Sequence, residues 1–265
     1  MIIGAHRSGT TATAHALRLL GLQMGEHLDS HEEPRGLQRL HEAYLLERGA
    51  TWHEPNAFLE WMQTAQGQKH CAAYLRKRVH RKFASIFGYR FNLRGLWGLS
   101  RLKLGKPWGW KEPRTTLFAH AWLELFPKAR IVHIIRHPVA VALSIREREL
   151  QFRSKGDPPN GRLHDLDYCL SLATKYIEQG ESLASRTSHY QRVRFEDFQA
   201  DPPGTLAVLA DFCGLKFTPA QLTKAAASIR PGSSLNSQEL PGPVWQRLVS
   251  DHPVVAKLGY EWNSP

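Results

Sequence analysis

The sequence is short of cysteine. Its 265 residues hold three, Cys71, Cys169 and Cys213, set far apart. They form neither a metal-ligand spacing nor a disulfide framework. They read as structural or free thiols of a reducing compartment, so a cytoplasmic chain is expected. No apolar run approaches the roughly 20 residues that cross a bilayer, and no tract is of low complexity. Met1 opens directly into an apolar strand, so no signal peptide is expected, while an anchor upstream of these residues stays open. The length and a charged fraction of 22% suit one large α/β domain with an insertion.

Acid is missing where it matters most. Between Lys69 and Lys106 there are eleven Lys and Arg and no Asp or Glu, and the remaining 24 cations equal the 24 acids of the whole chain. The net charge of +11 therefore sits in one block. A single-sign block of this kind implies an anionic partner or surface. Lys69–Phe87 has a helical pattern, with Ala72, Leu75, Val79, Phe83 and Ile86 apolar and cations opposite. Residues 50–106 are read as a helical insertion between the first and second core strands.

The rest alternates strands and helices. Ala12–Leu20, Leu37–Arg48, a short helix opened by Pro55, Thr116–Phe126, Pro138–Leu150, Asp165–Arg186, Pro202–Cys213 and a segment from Pro219 read as helices. Trp108–Pro113, Arg130–Arg136 and Tyr190–Glu196 join the first apolar run as strands. Gly88–Gly105, the Pro/Gly stretch Gly156–Gly161 and the Pro-rich end read as irregular. Strand–helix units joined by crossovers predict a parallel sheet covered on both faces. Ligands of such sheets bind at the carboxyl ends of the strands, and three of those ends carry cations: Arg7, Lys111 and Arg136.

The organising stretch is Met1–Thr11. An apolar run ends at Gly4, a loop follows, and a helix begins after Gly9. Such a turn aims backbone N–H groups and the helix dipole at one spot, which suits a phosphate or sulfate. The Gly4-x4-Gly9 spacing matches the nucleotide-binding P-loop up to its second glycine. Thr10 then stands where an NTPase has Lys, and the available cation is Arg7, inside the loop.

Three separated motifs together resemble the PAPS-dependent sulfotransferases. Arg7-Ser-Gly-Thr-Thr11 is similar to their 5′-phosphosulfate loop. Arg136-His-Pro, with Ser144 eight residues on, is similar to their 3′-phosphate motif. Val193-Arg-Phe-Glu-Asp-Phe198 is similar to their Val-Arg-Tyr-Glu-Asp-Leu segment. Arginine in the loop is closer to tyrosylprotein sulfotransferase and to bacterial sulfotransferase-like proteins. The resemblance implies a P-loop NTPase-like parallel sheet flanked by helices, with PAPS as donor, PAP as product and no metal. It implies that Ser8, Gly9, Thr10 and Thr11 cradle the 5′-phosphate and that Arg7 and Lys111 stabilise the transferring group. Arg136 and Ser144 would clamp the 3′-phosphate, with Arg194 and Arg230 as further candidates. The general base would come from the polar segment after the first helix: His27 first by position, Glu33 second, Glu32 and His31 open. Pro113 stands where the cytosolic enzymes carry their catalytic His, and Phe195 where the family often has Tyr. Arg136 also ends the strand at which Mg²⁺-dependent enzymes place an Asp, so it would repel that metal and attract a phosphate.

His6 reads as a spacer facing solvent. Glu112 reads as a group that positions Lys111 or Arg7 or caps the next helix. Trp97, Trp108 and Trp110 are candidates to stack adenine or a sugar. The acceptor is expected to be a small molecule, a glycan or a peptide, with an acidic saccharide or glycolipid favoured by the basic insertion. Residues 69–106 offer a surface for an anionic membrane, and no nucleic acid is expected. Two other classes compete: a degenerate P-loop kinase or NTPase, and a non-catalytic polyanion-binding protein.

Overall fold

A computed structural model describes residues 1–89, 98, 100, 104–153, 161–230 and 242–260. Trp97, the cations Arg90, Arg94, Arg101 and Lys103, most of the Gly156–Gly161 stretch and the segment after Arg230 lie outside the described residues. Three short strands, β1 (Ile2–Ile3), β2 (Ile131–Ile135) and β3 (Tyr190–Arg194), form a parallel sheet in that order. Ile2 lies opposite Val132, and Ile134 opposite Val193. The helices are α1 (Thr10–Leu19), α2 (Arg35–Glu47), α3 (Asn56–Gln63), α4 (Ala65–Ile86), α5 (Thr115–Leu125), α6 (Pro138–Arg153), α7 (Leu166–Glu181), α8 (Phe195–Ala200), α9 (Pro202–Cys213), α10 (Pro219–Ala227), α11 (Gly242–Asp251) and α12 (Val254–Lys257).

Successive strand side chains point to opposite faces, so the sheet feeds two cores. Ile2, Val132, Ile134 and Val193 pack with Leu17 of α1, Leu206 and Leu209 of α9 and Ala225 of α10. Ile3, Ile131 and Ile135 face the other way, into a cluster with Leu37 of α2, Leu75 of α4, Trp122 of α5, Val139 of α6 and Tyr176 of α7. β2 is buried on both faces, which is why it reads as an unbroken apolar run around His133. The architecture is α/β, a parallel sheet between two helical layers.

The expected strand at Trp108–Pro113 is reduced to single bridges. Lys111 pairs with Ile2, and Trp108 with Gln23. The Ile2 amide donates to the Trp110 carbonyl at 3.0 Å. Pro107 and Pro113 have no N–H to extend a ladder, and Gly109 lies between them. The segment still places Lys111 beside β1 at the carboxyl end of the sheet. The strand expected through Glu196 ends at Arg194, because α8 begins with Glu196 and Asp197 in its first turn, where acid favours a helix N-terminus. The helix expected to reach Arg186 stops at Glu181. The insertion does not stand apart from the core. Phe58 of α3 and Cys71 and Leu75 of α4 are fully buried in the cluster that holds Trp122. No described helix is long and apolar enough to cross a membrane.

Candidate active site

The site is built around the loop between β1 and α1. Gly4 (φ 145°) and Gly9 (φ 99°) adopt left-handed backbone. A Cβ on Gly4 would lie 2.3 Å from the Ile134 carbonyl, and one on Gly9 would lie 2.2 Å from the Phe195 ring. Only glycine allows this approach. Arg7 is also left-handed, at φ 71°, a strain of roughly 1–2 kcal/mol for a side chain. Its carbonyl accepts from Arg136 Nη1 at 3.3 Å, and its Nε donates to Ser144 Oγ at 2.9 Å. Thr116 Oγ1 accepts from the Gly4 amide at 2.9 Å and donates to the Gly4 carbonyl at 3.1 Å, tying α5 to the loop. No side chain caps α1, and Thr10 and Thr11 of its first turn, where helix amides have no intrahelical partner, line the cleft.

These elements wall a cleft of about 830 Å³ at the carboxyl end of the sheet, lined by Arg7, Gly9, Thr10, Thr11, Glu33, Arg136, Phe195 and Arg230 among others. Lys111 is fully buried behind it. Its Nζ donates to Glu33 Oε1 at 2.6 Å and to Thr11 Oγ1 at 3.1 Å. The three strand-end cations thus surround one cleft, Arg7 and Arg136 in its wall and Lys111 through Glu33 and Thr11.

Glu33 is held by a loop that shapes itself around Asp29. The Asp29 carboxylate accepts from the amides of His31 and Glu33 at 2.8 and 3.0 Å and from Gln38 Nε2 at 2.8 Å. Gln38 Nε2 also reaches Glu33 Oε2 at 2.7 Å. Burial, joined by the charge of Glu112, pushes the Glu33 carboxyl above its ordinary range, while Lys111 pulls it back. Glu32 and His31 also line the cleft, and the Glu32 carboxylate pairs with Arg18 and with His15.

Beneath the cleft runs a buried polar chain. Trp122 Nε1 donates to His41 Nε2 at 2.9 Å, which leaves His41 Nδ1 to donate to Glu112 Oε2. Glu112 Oε1 accepts from Arg114 Nη1 at 2.9 Å and from the Arg114 amide at 3.3 Å. Burial alone would raise Glu112; the Arg114 charge and the His41 hydrogen bond outweigh it and hold the carboxyl down at about 2. Glu112 therefore fixes Arg114, and contacts neither Lys111 nor Arg7 through a hydrogen bond among the described residues.

Several expected residues sit elsewhere. His27 does not line the cleft, and its amide is bonded to the Gly88 carbonyl; the chain joins the cleft wall from Asp29 onward, and Glu33 is the carboxylate that reaches Lys111. Ser8 is buried, with its hydroxyl and amide both on the Ala5 carbonyl at 2.8 and 3.3 Å; it shapes the loop from within. Ser144 faces Arg7 rather than Arg136. Arg194 lies over the Tyr260 ring at 4.5 Å, away from the cleft and from the ion pair with Glu196 or Asp197 that its position suggests. Glu196 instead bridges the strand ends, accepting from the His137 amide at 2.7 Å. Trp108 and Trp110 pack with Trp122 and Phe126 in the core. His6 is not a solvent-facing spacer: its ring packs 4.4 Å from Trp52.

The cleft also contains residues that sequence patterns did not flag. Trp52, Arg114 and Arg148 line it. Arg114 was the most findable, three residues after Lys111 at a helix start. Arg148 lies one helical turn beyond Ser144, on the same face.

Comparison with known proteins agrees with this geometry. Residues 1–219 match the profile of the sulfotransferase family. Over 163 residues the chain is 26% identical to the omega-hydroxy-beta-dihydromenaquinone-9 sulfotransferase Stf3 of Mycobacterium bovis, covering 58% of this chain and 42% of that protein. The chain thus spans under half the length of this curated relative. Among solved structures, sulfotransferase STF9 of Mycobacterium avium superposes with a TM-score of 0.54 at 16% identity, over 100% of this chain and 78% of that one. The sulfotransferase domain of the Synechococcus PCC 7002 olefin synthase superposes with a TM-score of 0.50 at 18% identity, over 98% and 94%. The shared fold is the P-loop-like one that the Gly4–Gly9 loop implied. A profile match over most of its length, on a sheet whose cations gather round an open helix N-terminus, makes this chain a member of the sulfotransferase family.

Proposed function

We propose that this chain transfers the sulfuryl group of PAPS to a hydroxyl or amine of an acceptor, without a divalent metal. The observation that carries the reading is the Glu33–Lys111–Thr11 contact at the foot of the uncapped α1, flanked by Arg7 and Arg136. The residues suit the donor. The two glycines let the loop close against the Ile134 carbonyl and the Phe195 ring, which holds its shape for a phosphate, and the guanidinium of Arg136 offers a fork for a second phosphate. Arg230 lines the same cleft, and its carbonyl accepts from Gln199 Nε2 of α8, the helix opened by the Phe195 that packs on Gly9.

PAPS supplies the sulfuryl group: the acceptor atom bonds to sulfur as the bond from sulfur to the 5′-phosphate oxygen breaks and PAP leaves. Glu33, with its raised carboxyl, takes the acceptor's proton. Lys111 and Arg7 meet the negative charge that develops on the leaving side, a role worth a few kcal/mol for each preorganised donor. The α1 amides at Thr10 and Thr11 hold the 5′-phosphate. The name of the Stf3 relative specifies a hydroxylated menaquinone derivative; an acceptor oxygen is proposed here by that analogy.

We place the enzyme in the cytoplasm, working as one sulfotransferase unit with residues 50–106 on its acceptor side. Lys69, Arg76, Lys77, Arg78, Arg81 and Lys82 of α4 are exposed, and among the described residues none pairs with a carboxylate. This face is proposed to meet an anionic membrane. The test of the reaction is transfer of radiolabelled sulfate from PAPS to a panel of phenols, glycans, peptides and lipid alcohols in the presence of EDTA. Label on any class supports the assignment. PAPS that neither binds nor turns over removes it.

A further inference from the structure

The family match ends at residue 219, yet a residue beyond it sits behind the donor end of the cleft. α12 stops at Leu258, and Gly259, in left-handed backbone at φ 72°, turns the chain. Val255, Leu258 and Tyr260 enter the core cluster that holds Tyr176 of α7. His252 Nδ1 meets Glu178 Oε1 of the same helix at 3.0 Å, which ties this segment down. Tyr260 is left 2% exposed. The Arg194 guanidinium, at the end of β3, lies over its ring, and the His137 ring meets it edge-on at 5.2 Å.

The Tyr260 hydroxyl donates to Glu196 Oε2 at 3.2 Å, and Glu196 Oε1 accepts from the His137 amide at 2.7 Å. Burial, with the Glu196 charge added, pushes the phenol up, so it stays protonated and is the donor. Both carboxylate oxygens are thereby engaged. Arg136 directly precedes His137, and the Glu196 charge bears on it. A guanidinium beside a carboxylate commonly pairs with it in a two-point fork. Among the described residues these two do not pair. Arg136 Nη1 is on the Arg7 carbonyl at 3.3 Å, its guanidinium lies 5.7 Å from the Phe195 ring, and the side chain lines the cleft.

We propose that Tyr260 is a positioning residue: it holds Glu196 against the His137 amide, keeps that carboxylate from closing on Arg136, and so leaves the guanidinium to the 3′-phosphate of the donor. The proposal rests on the donor reading above. Without the hydroxyl, Glu196 Oε2 loses its partner while a cation stands in its field. An internal carboxylate then competes with the phosphate for one fork.

The test is calorimetric titration of PAP, and of AMP, which lacks the 3′-phosphate, into metal-free wild type, Tyr260→Phe and the double variant Tyr260→Phe/Glu196→Gln. Tyr260→Phe should bind PAP about tenfold more weakly, the scale of one hydrogen bond to a charged group, and AMP within about twofold of wild type. Adding Glu196→Gln removes the competing charge and keeps an oxygen for the His137 amide, so PAP affinity should return to within about threefold of wild type. A role in packing alone predicts the reverse, because the second substitution removes a further native contact. Three results overturn the proposal: a PAP margin over AMP that Tyr260→Phe leaves intact, equal weakening of PAP and AMP, or a double variant no tighter than the single one. A wild type with no margin contradicts the donor assignment itself, and the role of Tyr260 falls with it; a wild-type margin insensitive to Tyr260 overturns the positioning role alone.

Discussion

The two ends of the cleft are built in different ways. The donor end is made of backbone: two left-handed glycines, one strained arginine and the open amides of a helix, all within eight residues of chain. The opposite wall, proposed to face the acceptor, is made of side chains: Trp52, Arg114 and Arg148 from three distant segments, joined by His6 of the loop itself. Backbone geometry tolerates almost no substitution, whereas a wall of side chains is free to vary with the acceptor. On the proposed assignment, the comparison teaches that the loop end would set the chemistry and the other end its target.

The largest effect should come from the shared chemistry between the two ends. Glu33→Gln is expected to lower turnover by about 10²–10⁴-fold and to leave PAP binding within a few-fold. Its acid limb also follows. A base must be deprotonated to act, so the rate should rise with pH through a value above the ordinary 4.5 for glutamate, and the pH–rate profile of Glu33→Gln should lose that limb. A full rate in Glu33→Gln would move the base elsewhere.

Gly9→Ala should act on the donor end alone. Its Cβ would meet Phe195 at 2.2 Å in a left-handed backbone, and PAP affinity should fall on the order of 100-fold by calorimetry. Trp52→Ala should do the converse, raising the acceptor KM by about tenfold, in line with the loss of a ring face, with PAP affinity unchanged. If both substitutions moved both ligands equally, the division of the cleft would be wrong.

The smallest effect concerns the chain beneath both ends. Glu112 is held at about 2 in the folded protein against an ordinary 4.5. A depressed carboxyl contributes stability that is complete above its unfolded value and is lost as pH falls from about 4.5 towards 2. Thermal melts across that window should decline faster for the wild type than for Glu112→Gln. Parallel declines would mean that another carboxylate carries the effect.

Much of the donor end was legible in the sequence because it is local. A glycine spacing, a helix start and a strand-end arginine each occupy a few consecutive residues, and the parallel sheet followed from their order. The opposite wall was not legible, because Trp52, Arg114 and Arg148 are brought to His6 only by the packing of α5, α6 and the insertion. His27 shows the limit. It lies in the right segment, but the Asp29 turn spends the intervening residues on its own hydrogen bonds and delivers Glu33. The Trp108–Pro113 segment reads as a strand, yet two prolines reduce it to single bridges, one of them to β1.

The most direct test of the account is the affinity of the metal-free protein for PAP against AMP, which lacks the 3′-phosphate, in the wild type and in Arg136→Ala. A charge-assisted guanidinium–phosphate contact is worth about 2–3 kcal/mol, so PAP should bind roughly 30–100-fold more tightly than AMP, and Arg136→Ala should erase most of that margin. Equal affinities in the wild type, or a margin untouched by the substitution, would contradict a donor site built on this strand end.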